Sequence, residues 1–255
     1  MQRTTYGLLE VLISESNQAL GELAAQDFAT VVRADLQTRD EIAVILATGN
    51  SQLSFMDALC ERDDIDWSRI SILHMDQYLG MAHEHPASFS LYMEEKLVSR
   101  VSPKAFYGVR GDRTPIADEI TRYSNLLRDL DPTVTVMGIG ENGHLAFNDP
   151  PADFETRELI HIVDLDEACR TQQVGEGHFA NLAEVPTQAL SLTVHALLRP
   201  PTVFVLTPEA RKVHVVKRSL EGPVTPDCPA SILQTVAHAH LYLDQDSAAG
   251  LDVVA

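Results

Sequence analysis

The amino-acid sequence predicts an α/β fold, in which a mostly parallel, Rossmann-like sheet lies between two helical layers in a three-layer α/β/α arrangement. Short apolar segments alternate along the chain with longer segments in which apolar residues recur every three or four positions. Such alternation is typical of parallel strands joined by helical crossovers. Several apolar segments end in small polar residues, where open α/β folds bind ligands. Because no repeat or linker interrupts the pattern, we expect one domain, residues 1–255.

Hydrophobic periodicity locates the elements in chain order. Helices are expected at residues 17–36, 53–60, 89–98, 114–130, 187–198 and 209–220, with Pro115 and Pro208 suited to helix starts. Residues 150–185 show no clear period and are expected to form an irregular, lid-like segment. Strands are expected at residues 8–13, 41–47, 70–75, 134–137, 202–206 and 240–243.

Composition restricts the classes of partner. The formal net charge is -18, from 37 acidic and 19 basic residues, which argues against nucleic acid and anionic membrane surfaces. A phosphorylated small molecule is still compatible with this net charge, since a few cations near the site outweigh the repulsion from the overall negative charge. No apolar run reaches membrane-spanning length, and the three cysteines, Cys60, Cys169 and Cys228, show no metal-ligand spacing. We therefore expect a cytoplasmic protein with reduced thiols.

The segment VTVMGIGENGHLAFNDP is the most informative part of the chain. An apolar strand ends there in a loop with three glycines, which let the backbone turn sharply and approach a ligand. His144 lies in this loop with Glu141 and Asp149 nearby. An imidazole oriented by a carboxylate moves protons near neutral pH, so His144 is a candidate acid–base residue. The alternative is a structural histidine.

Two further strand ends carry candidate groups. Thr48, Gly49, Asn50 and Ser51 follow the strand predicted at 41–47 and precede a helix, where free N–H groups bind anions. The alternative there is an ordinary helix N-cap. Asp76 follows the next predicted strand and is placed to act as a base, or to serve merely as a turn or N-cap residue.

Basic residues complete the candidate site. Lys212, with Arg211 beside it, is near the start of a predicted helix, where a cation opposes the macrodipole. That position suggests a role in anion binding, against the alternative of a solvated lysine. Arg170 is a second candidate anion clamp, on weaker grounds.

These segments resemble a known family. GIGENGHLAFNDP resembles the signature Gly-x-x-Asp-Gly-His-x-Ala-Phe-Asn-Glu-Pro of the glucosamine-6-phosphate deaminase/isomerase family. HMDQYLG and HPASFSLYM are similar to its Asn-Met-Asp-Glu-Tyr and His-Pro-x-Ser segments, and ATGNSQ stands where the family has a Thr-Gly phosphate loop. VPTQALSLTVHALL and PEARKVHVVKRSLEG follow in the same order, so the resemblance covers most of the chain.

The resemblance implies roles for named residues. Asp76 would move the proton between C2 and C1 of the opened sugar, and His144 would assist ring opening, oriented by Asp149 and Asn142. The implied substrate is a small sugar phosphate, and neither metal nor cofactor is needed because its carbonyl and amine supply the reactivity. The family includes monomers and hexamers, which leaves a homo-oligomer open. Substrate and phosphate binding would fall to Thr48, Gly49, Asn50, Ser51, Gly143, Arg170 and Lys212.

The chain departs from the family pattern at several positions. Asn142 replaces an aspartate, Asp149 replaces a glutamate and Gln77 replaces a glutamate. No arginine stands clearly in the slot of the family's phosphate-binding arginine, although Arg170 is nearby. Because an amide does not stabilise an imidazolium by charge, we expect His144 to depend strongly on Asp149.

Two other functions compete with a deaminase. The related 6-phosphogluconolactonases share the fold and the Asp-Gly-His core, but they carry an Asp-Glu-Arg segment where this chain has MDQYLG. A non-catalytic sugar-phosphate sensor is the third hypothesis. Transcription regulators that use this fold add a helix-turn-helix segment and a basic surface, and neither is evident in this acidic sequence.

Overall fold

The computed structural model of the protein describes residues 1–175, 177 and 179–252. Its strands are β1 (Gln2–Tyr6), β2 (Leu9–Ser14), β3 (Ile42–Leu46), β4 (Ile70–Leu73), β5 (Asp76–Tyr78), β6 (Ala105–Tyr107), β7 (Val134–Met137), β8 (Ile160–Asp164), β9 (Gln188–Leu192), β10 (Thr202–Leu206) and β11 (Ala239–Asp244). Its helices are α1 (Asn17–Thr38), α2 (Leu53–Cys60), α3 (Phe89–Met93), α4 (Ser99–Val101), α5 (Ile116–Leu130), α6 (Glu167–Gly175), α7 (Val194–Leu198), α8 (Val213–Glu221) and α9 (Gln245–Ala248).

Eight strands form the large sheet, in the order β1-β2-β11-β10-β7-β3-β4-β6. All neighbours are parallel except β1, which pairs antiparallel with β2 at one edge. The chain runs outward from β3 through β4 to β6, then returns to β7 on the other side of β3 and continues to β10 and β11. The strand order thus reverses between β3 and β7, which is where folds of this kind bind ligands.

Helices cover both faces of the large sheet, and the alternation of side chains along each strand divides the core between them. On one face, Val44, Val136 and Phe204 pack with α1 and α2. On the other, Ile45 and Val205 pack with α5, α7 and α8. The predicted three-layer α/β/α class is therefore confirmed. Among the described residues, no helix combines the length and apolar character needed to cross a bilayer.

A second, smaller sheet lies against the carboxyl ends of the large one. It consists of β5, β9 and β8, which pair antiparallel with β9 in the centre. Its own apolar cluster includes Tyr78, Phe89, Phe147 and Phe179, whose rings meet edge-on or tilted. This sheet connects the loop after β7 with α6 and so builds one wall of the candidate site.

Most predicted elements are confirmed within a few residues, but two predictions were wrong. The helix expected at 187–198 is β9 followed by the short helix α7. Residues 188–192 favour helix by composition, yet they are almost wholly buried between two partner strands, and this pairing overrides propensity. The segment 150–185, expected to be irregular, contains β8 and α6. The short edge strands β1 and β6 were not predicted.

Candidate active site

The candidate site is an open cleft of about 650 Å³ at the carboxyl ends of β3, β4, β7 and β10. Parallel strands bring all these ends to one edge of the sheet, so residues far apart in sequence meet there. The lining residues are Ala47, Thr48, Gly49, Asn50, Ser51, Met75, Asp76, Phe89, Gly138, Ile139, Gly140, His144, Ala146, Phe147, Gln172, Gln173, Arg211 and Lys212.

The turn after β3 supplies one wall. Thr48, Gly49, Asn50 and Ser51 all line the cleft, as predicted for substrate-binding residues. Gly49 has a φ of 105°, a conformation that side-chain-bearing residues rarely adopt, which explains the glycine in this turn. The chain then enters a 3-10 turn that leads directly into α2. The turn therefore presents small polar groups and backbone to the cleft with no bulky side chain between them.

Asp76 begins β5, where the chain leaves the large sheet for the small one. The residue is 8% exposed, and its carboxylate faces the cleft. No hydrogen bond to this carboxylate is formed by the described residues. Burial without compensation disfavours the charged form and raises the pKa of Asp76 to about 7. A carboxyl group with such a pKa accepts and returns protons near neutral pH.

His144 follows β7 in a tight turn. The Gly140 N–H donates to the His144 carbonyl (3.0 Å), and the Gly143 N–H donates to the Gly140 carbonyl (3.0 Å). A Cβ on residue 140 would collide with the His144 ring, so this close approach requires glycine. The imidazole Nδ1 lies 3.1 Å from Oδ1 of Asp149, whose side chain is 7% exposed. His144 and Asp149 thus form the expected imidazole–carboxylate pair.

Asp149 remains acidic despite its burial. Burial alone would raise its pKa, but the contact with His144, the Asn142 amide and the Asp166 N–H together lower it. The Asn142 amide donates to Asp149 (2.8 Å) and also to Asp166 (3.2 Å). Its Oδ1 accepts from the backbone N–H of His144 (2.9 Å), not from the imidazole. Asn142 therefore supports the His144–Asp149 pair from behind and does not line the cleft.

Cys169, on α6, completes the surroundings of this pair. Ligand atoms of His144, Asp149 and Cys169 all lie within 4.8 Å of one another, and among the described residues this is the group that could hold a metal ion. Burial, with the nearby carboxylates of Asp149 and Asp166, raises the pKa of the Cys169 thiol.

Lys212 and Arg211 approach the cleft from the turn before α8. Lys212 is 3% exposed and lines the cleft, a burial that excludes the alternative of a solvated surface lysine. Arg211 pairs with Glu141 (3.0 Å) and Glu209 (2.6 Å) at the rim. Glu141 thus serves as a partner of Arg211 and not of His144. Lys212 therefore brings a buried cationic side chain to the cleft, which suits an anionic substrate.

Two predicted binding residues lie outside the cleft. The Arg170 guanidinium donates to the carbonyls of Leu182 (2.6 Å) and Val185 (2.9 Å), so it braces the segment after α6. Gly143 packs against Cys228, and its carbonyl accepts from the Ala230 N–H (2.9 Å). Its φ of 100° makes it a turn residue. Neither residue is among those that line the cleft, and direct substrate contact by either one stays a prediction.

Sequence reasoning missed two glutamines on α6. Gln172 and Gln173 line the cleft in the segment where the family pattern has its arginine. Gln173 accepts from the Tyr78 hydroxyl (2.9 Å), and Gln172 accepts from the Glu141 N–H (3.2 Å). Both glutamines are visible in the sequence, but they lie in the segment 150–185, which shows no hydrophobic periodicity. Without that periodicity, the sequence does not predict which way their side chains face.

The chain matches known proteins over most of its length. A family model described as glucosamine-6-phosphate isomerases/6-phosphogluconolactonase matches residues 15–242. The chain is 30% identical over 227 residues to a glucosamine-6-phosphate deaminase of Exiguobacterium sibiricum, covering 89% of this chain and 88% of that protein. It is 32% identical over 207 residues to one from Streptococcus pyogenes serotype M3, covering 81% and 86%.

Solved structures share the fold. A monomeric glucosamine-6-phosphate deaminase has a TM-score of 0.85 at 24% identity, covering 94% of this chain and 99% of that one. A 6-phosphogluconolactonase from Thermotoga maritima has a TM-score of 0.74 at 18% identity, covering 92% and 98%. At these identities the likeness establishes the fold alone.

The burial of Asp76 predicts a stability cost that depends on pH. Between its ordinary value of 3.8 and about 7, the folded protein holds a proton that the unfolded chain releases, so ionisation lowers stability as pH rises through this window. Asp76→Asn removes the charge, and we expect the free energy of unfolding to increase by about 1–3 kcal/mol at pH 8 and by much less at pH 5. Denaturant titrations at both pH values measure the difference.

The matched control for that prediction is Asp63→Asn, at an exposed loop residue. It should leave the free energy of unfolding within about 0.5 kcal/mol of the wild type at both pH values. An Asp76→Asn protein that is equally or less stable at pH 8 would contradict the assigned environment of this carboxylate.

Proposed function

The chain belongs to the glucosamine-6-phosphate isomerase/6-phosphogluconolactonase family, and from that membership we propose that it is a glucosamine-6-phosphate deaminase. The reaction takes glucosamine 6-phosphate and water to fructose 6-phosphate and ammonia. Relatives at 30–32% identity bear the name of this enzyme, and they align over most of both chains.

The observation that carries the proposal is the pairing of two proton-moving groups in one cleft. His144 and Asp76 line the same cavity from neighbouring regions of the sheet edge. Lactone hydrolysis needs one group to activate water. A deaminase needs a second base at C2, and the buried carboxylate of Asp76, with its raised pKa, suits that role. The geometry therefore favours the deaminase over the lactonase.

The proposed mechanism follows from these two groups. His144, oriented by Asp149, moves a proton at the ring oxygen as the sugar opens to the aldehyde. Asp76 removes the proton from C2, which gives an enol with the amine still attached, and returns the proton to C1. The resulting ketose imine at C2 adds water and releases ammonia. Each positioned acid–base group contributes a rate factor of about 10²–10⁴.

The phosphate is proposed to bind between the turn of residues 48–51 and Lys212. Both line the cleft, and the turn offers hydroxyl, amide and backbone donors while Lys212 supplies charge. The net charge of -18 makes this local cation necessary for attracting an anion. Binding energy at the phosphate, which does not react, then orients C1 and C2 beside Asp76.

Two further proposals concern the domain organisation of the chain and its cellular location. We propose that residues 1–255 act as one catalytic domain, since the strands that form the cleft are spread over the chain from β3 to β10. We also propose a cytoplasmic location, because Cys60, Cys169 and Cys228 are all free.

Ammonia release from glucosamine 6-phosphate by the purified protein tests the proposed function. We expect release by the wild type and loss of about 10²-fold or more in Asp76→Asn, because the variant lacks the base at C2. The variant is expected to fold, so its inactivity would be informative.

The competing functions give different results in the same assay. Hydrolysis of 6-phosphogluconolactone by the wild type and by Asp76→Asn, without ammonia release, would favour the lactonase. Binding of the sugar phosphate without turnover of either compound would indicate a sensor, and the deaminase proposal would then be wrong.

Removal of Lys212 tests the phosphate site. In Lys212→Met we expect KM for glucosamine 6-phosphate to rise by about 10–100-fold, because the variant loses one hydrogen bond between charged groups. Inhibition by inorganic phosphate should weaken in parallel. Lys217→Met on the following helix removes a half-buried lysine that pairs with Glu221 and Asp252 outside the cleft, and it should leave KM unchanged. An unaltered KM in Lys212→Met would exclude this residue from the phosphate site.

Removal of the Asp149 charge tests its proposed role. In Asp149→Asn the protonated imidazole of His144 loses its counter-charge, so we expect kcat to fall by about 10–100-fold. The pH–rate profile should change as well, because the carboxylate that faces the imidazole has lost its charge. Asp164→Asn, at an exposed position on β8, provides the control. A profile that is unchanged in Asp149→Asn would show that His144 does not depend on this carboxylate.

A further inference from the structure

A fully buried histidine lies directly behind Asp76. His74, just after β4, is 0% exposed, and its backbone is fixed by the hydroxyl of Tyr123, which contacts both its N–H (2.9 Å) and its carbonyl. The ring packs at a tilt against Phe89, with centroids 5.9 Å apart. Its Nε2 lies 3.6 Å from Oδ1 of Asp76. The backbone and the ring contacts together leave this imidazole little freedom to turn away.

Neither ring nitrogen of His74 has a hydrogen-bond partner among the described residues. Buried polar atoms without partners are rare and destabilising, so each one calls for a physical reason. The ring is uncharged, because burial lowers the pKa of His74 to about 3 and a backbone contact with Asp76 offsets this only in part. A neutral imidazole carries one N–H, and Oδ1 of the Asp76 carboxylate lies 3.6 Å from its Nε2.

We propose that His74 is a positioning residue for Asp76, with an Nε2–H directed at Oδ1 that orients the carboxylate and favours its ionised form. The separation of 3.6 Å exceeds an ordinary hydrogen bond. Catalytic hydrogen bonds are often long in the absence of substrate and shorten when the site closes. The inference rests on the proposed function only in assigning Asp76 as the base.

The other titratable groups around Asp76 do not replace this contact. Tyr123 from α5 and Cys169 from α6 stay neutral, because burial raises the pKa of each. His144, Arg211 and Lys212 line the cleft together with Asp76. His74 is therefore the donor available on the buried side of the base.

Two variants separate positioning from packing. His74→Met fills similar space without a donor, whereas His74→Gln keeps an N–H donor at similar reach. We expect the acid limb of kcat/KM to move up by about 0.5–1 pH unit in His74→Met and by less than about 0.3 in His74→Gln. A folded His74→Met protein whose acid limb is unmoved, or moves down, would overturn the proposal.

A second measurement requires neither turnover nor a variant of His74. In ¹⁵N-labelled protein, long-range imidazole correlations identify the tautomer of His74. We expect the neutral Nε2–H form, with a nitrogen shift that changes with the ionisation of Asp76 and is flat in Asp76→Asn. An Nδ1–H tautomer, or a shift that does not follow Asp76, would overturn the proposal. Because this result is independent of ammonia release, it separates failure of this inference from failure of the proposed function.

Discussion

The chemistry of the cleft depends on the different surroundings of two buried carboxylates, Asp76 and Asp149. Burial penalises the charged form of both Asp76 and Asp149. Asp149 receives compensation from the His144 ring, the Asn142 amide and a backbone N–H, and its pKa is lowered. The Asp76 carboxylate accepts no ordinary hydrogen bond from the residues that the structure describes, and its pKa rises to about 7. One acid is thereby kept as a fixed negative charge and the other as a group that exchanges protons.

The small sheet makes this difference possible. Asp76 begins β5 and pairs with Ser191 of β9, which withdraws it from the large sheet into an apolar environment. The same strand β9 accepts the loop of His144, since the Phe147 N–H donates to the Ser191 hydroxyl (3.0 Å) and Asn148 donates to the Leu192 carbonyl (2.8 Å). The acid–base residues are therefore held by one short strand, although they follow different strands of the large sheet.

The sequence allowed the large sheet and most of the cleft to be predicted, because both depend on local patterns. Apolar strands that end in small polar residues identified the turn of residues 48–51, Asp76 and His144, and the structure brings these together. The small sheet was missed because β9 has helix-favouring residues and is stabilised only by distant partners. The contacts of Arg170 were missed for the same reason: its acceptors, the carbonyls of Leu182 and Val185, are defined by tertiary structure and not by spacing.

Asn142 illustrates how a departure from a family pattern is understood from its contacts. The amide donates to two carboxylates at once, Asp149 and Asp166, while its oxygen accepts from the His144 backbone. An aspartate at this position would bring a third negative charge within hydrogen-bonding distance of two acids, and like charges that close disfavour ionisation. The counter-charge for His144 would then be weakened, not strengthened. With Asp166 present, the asparagine amide adds to the effect of His144 in lowering the pKa of Asp149, so the substitution is consistent with an intact acid–base pair.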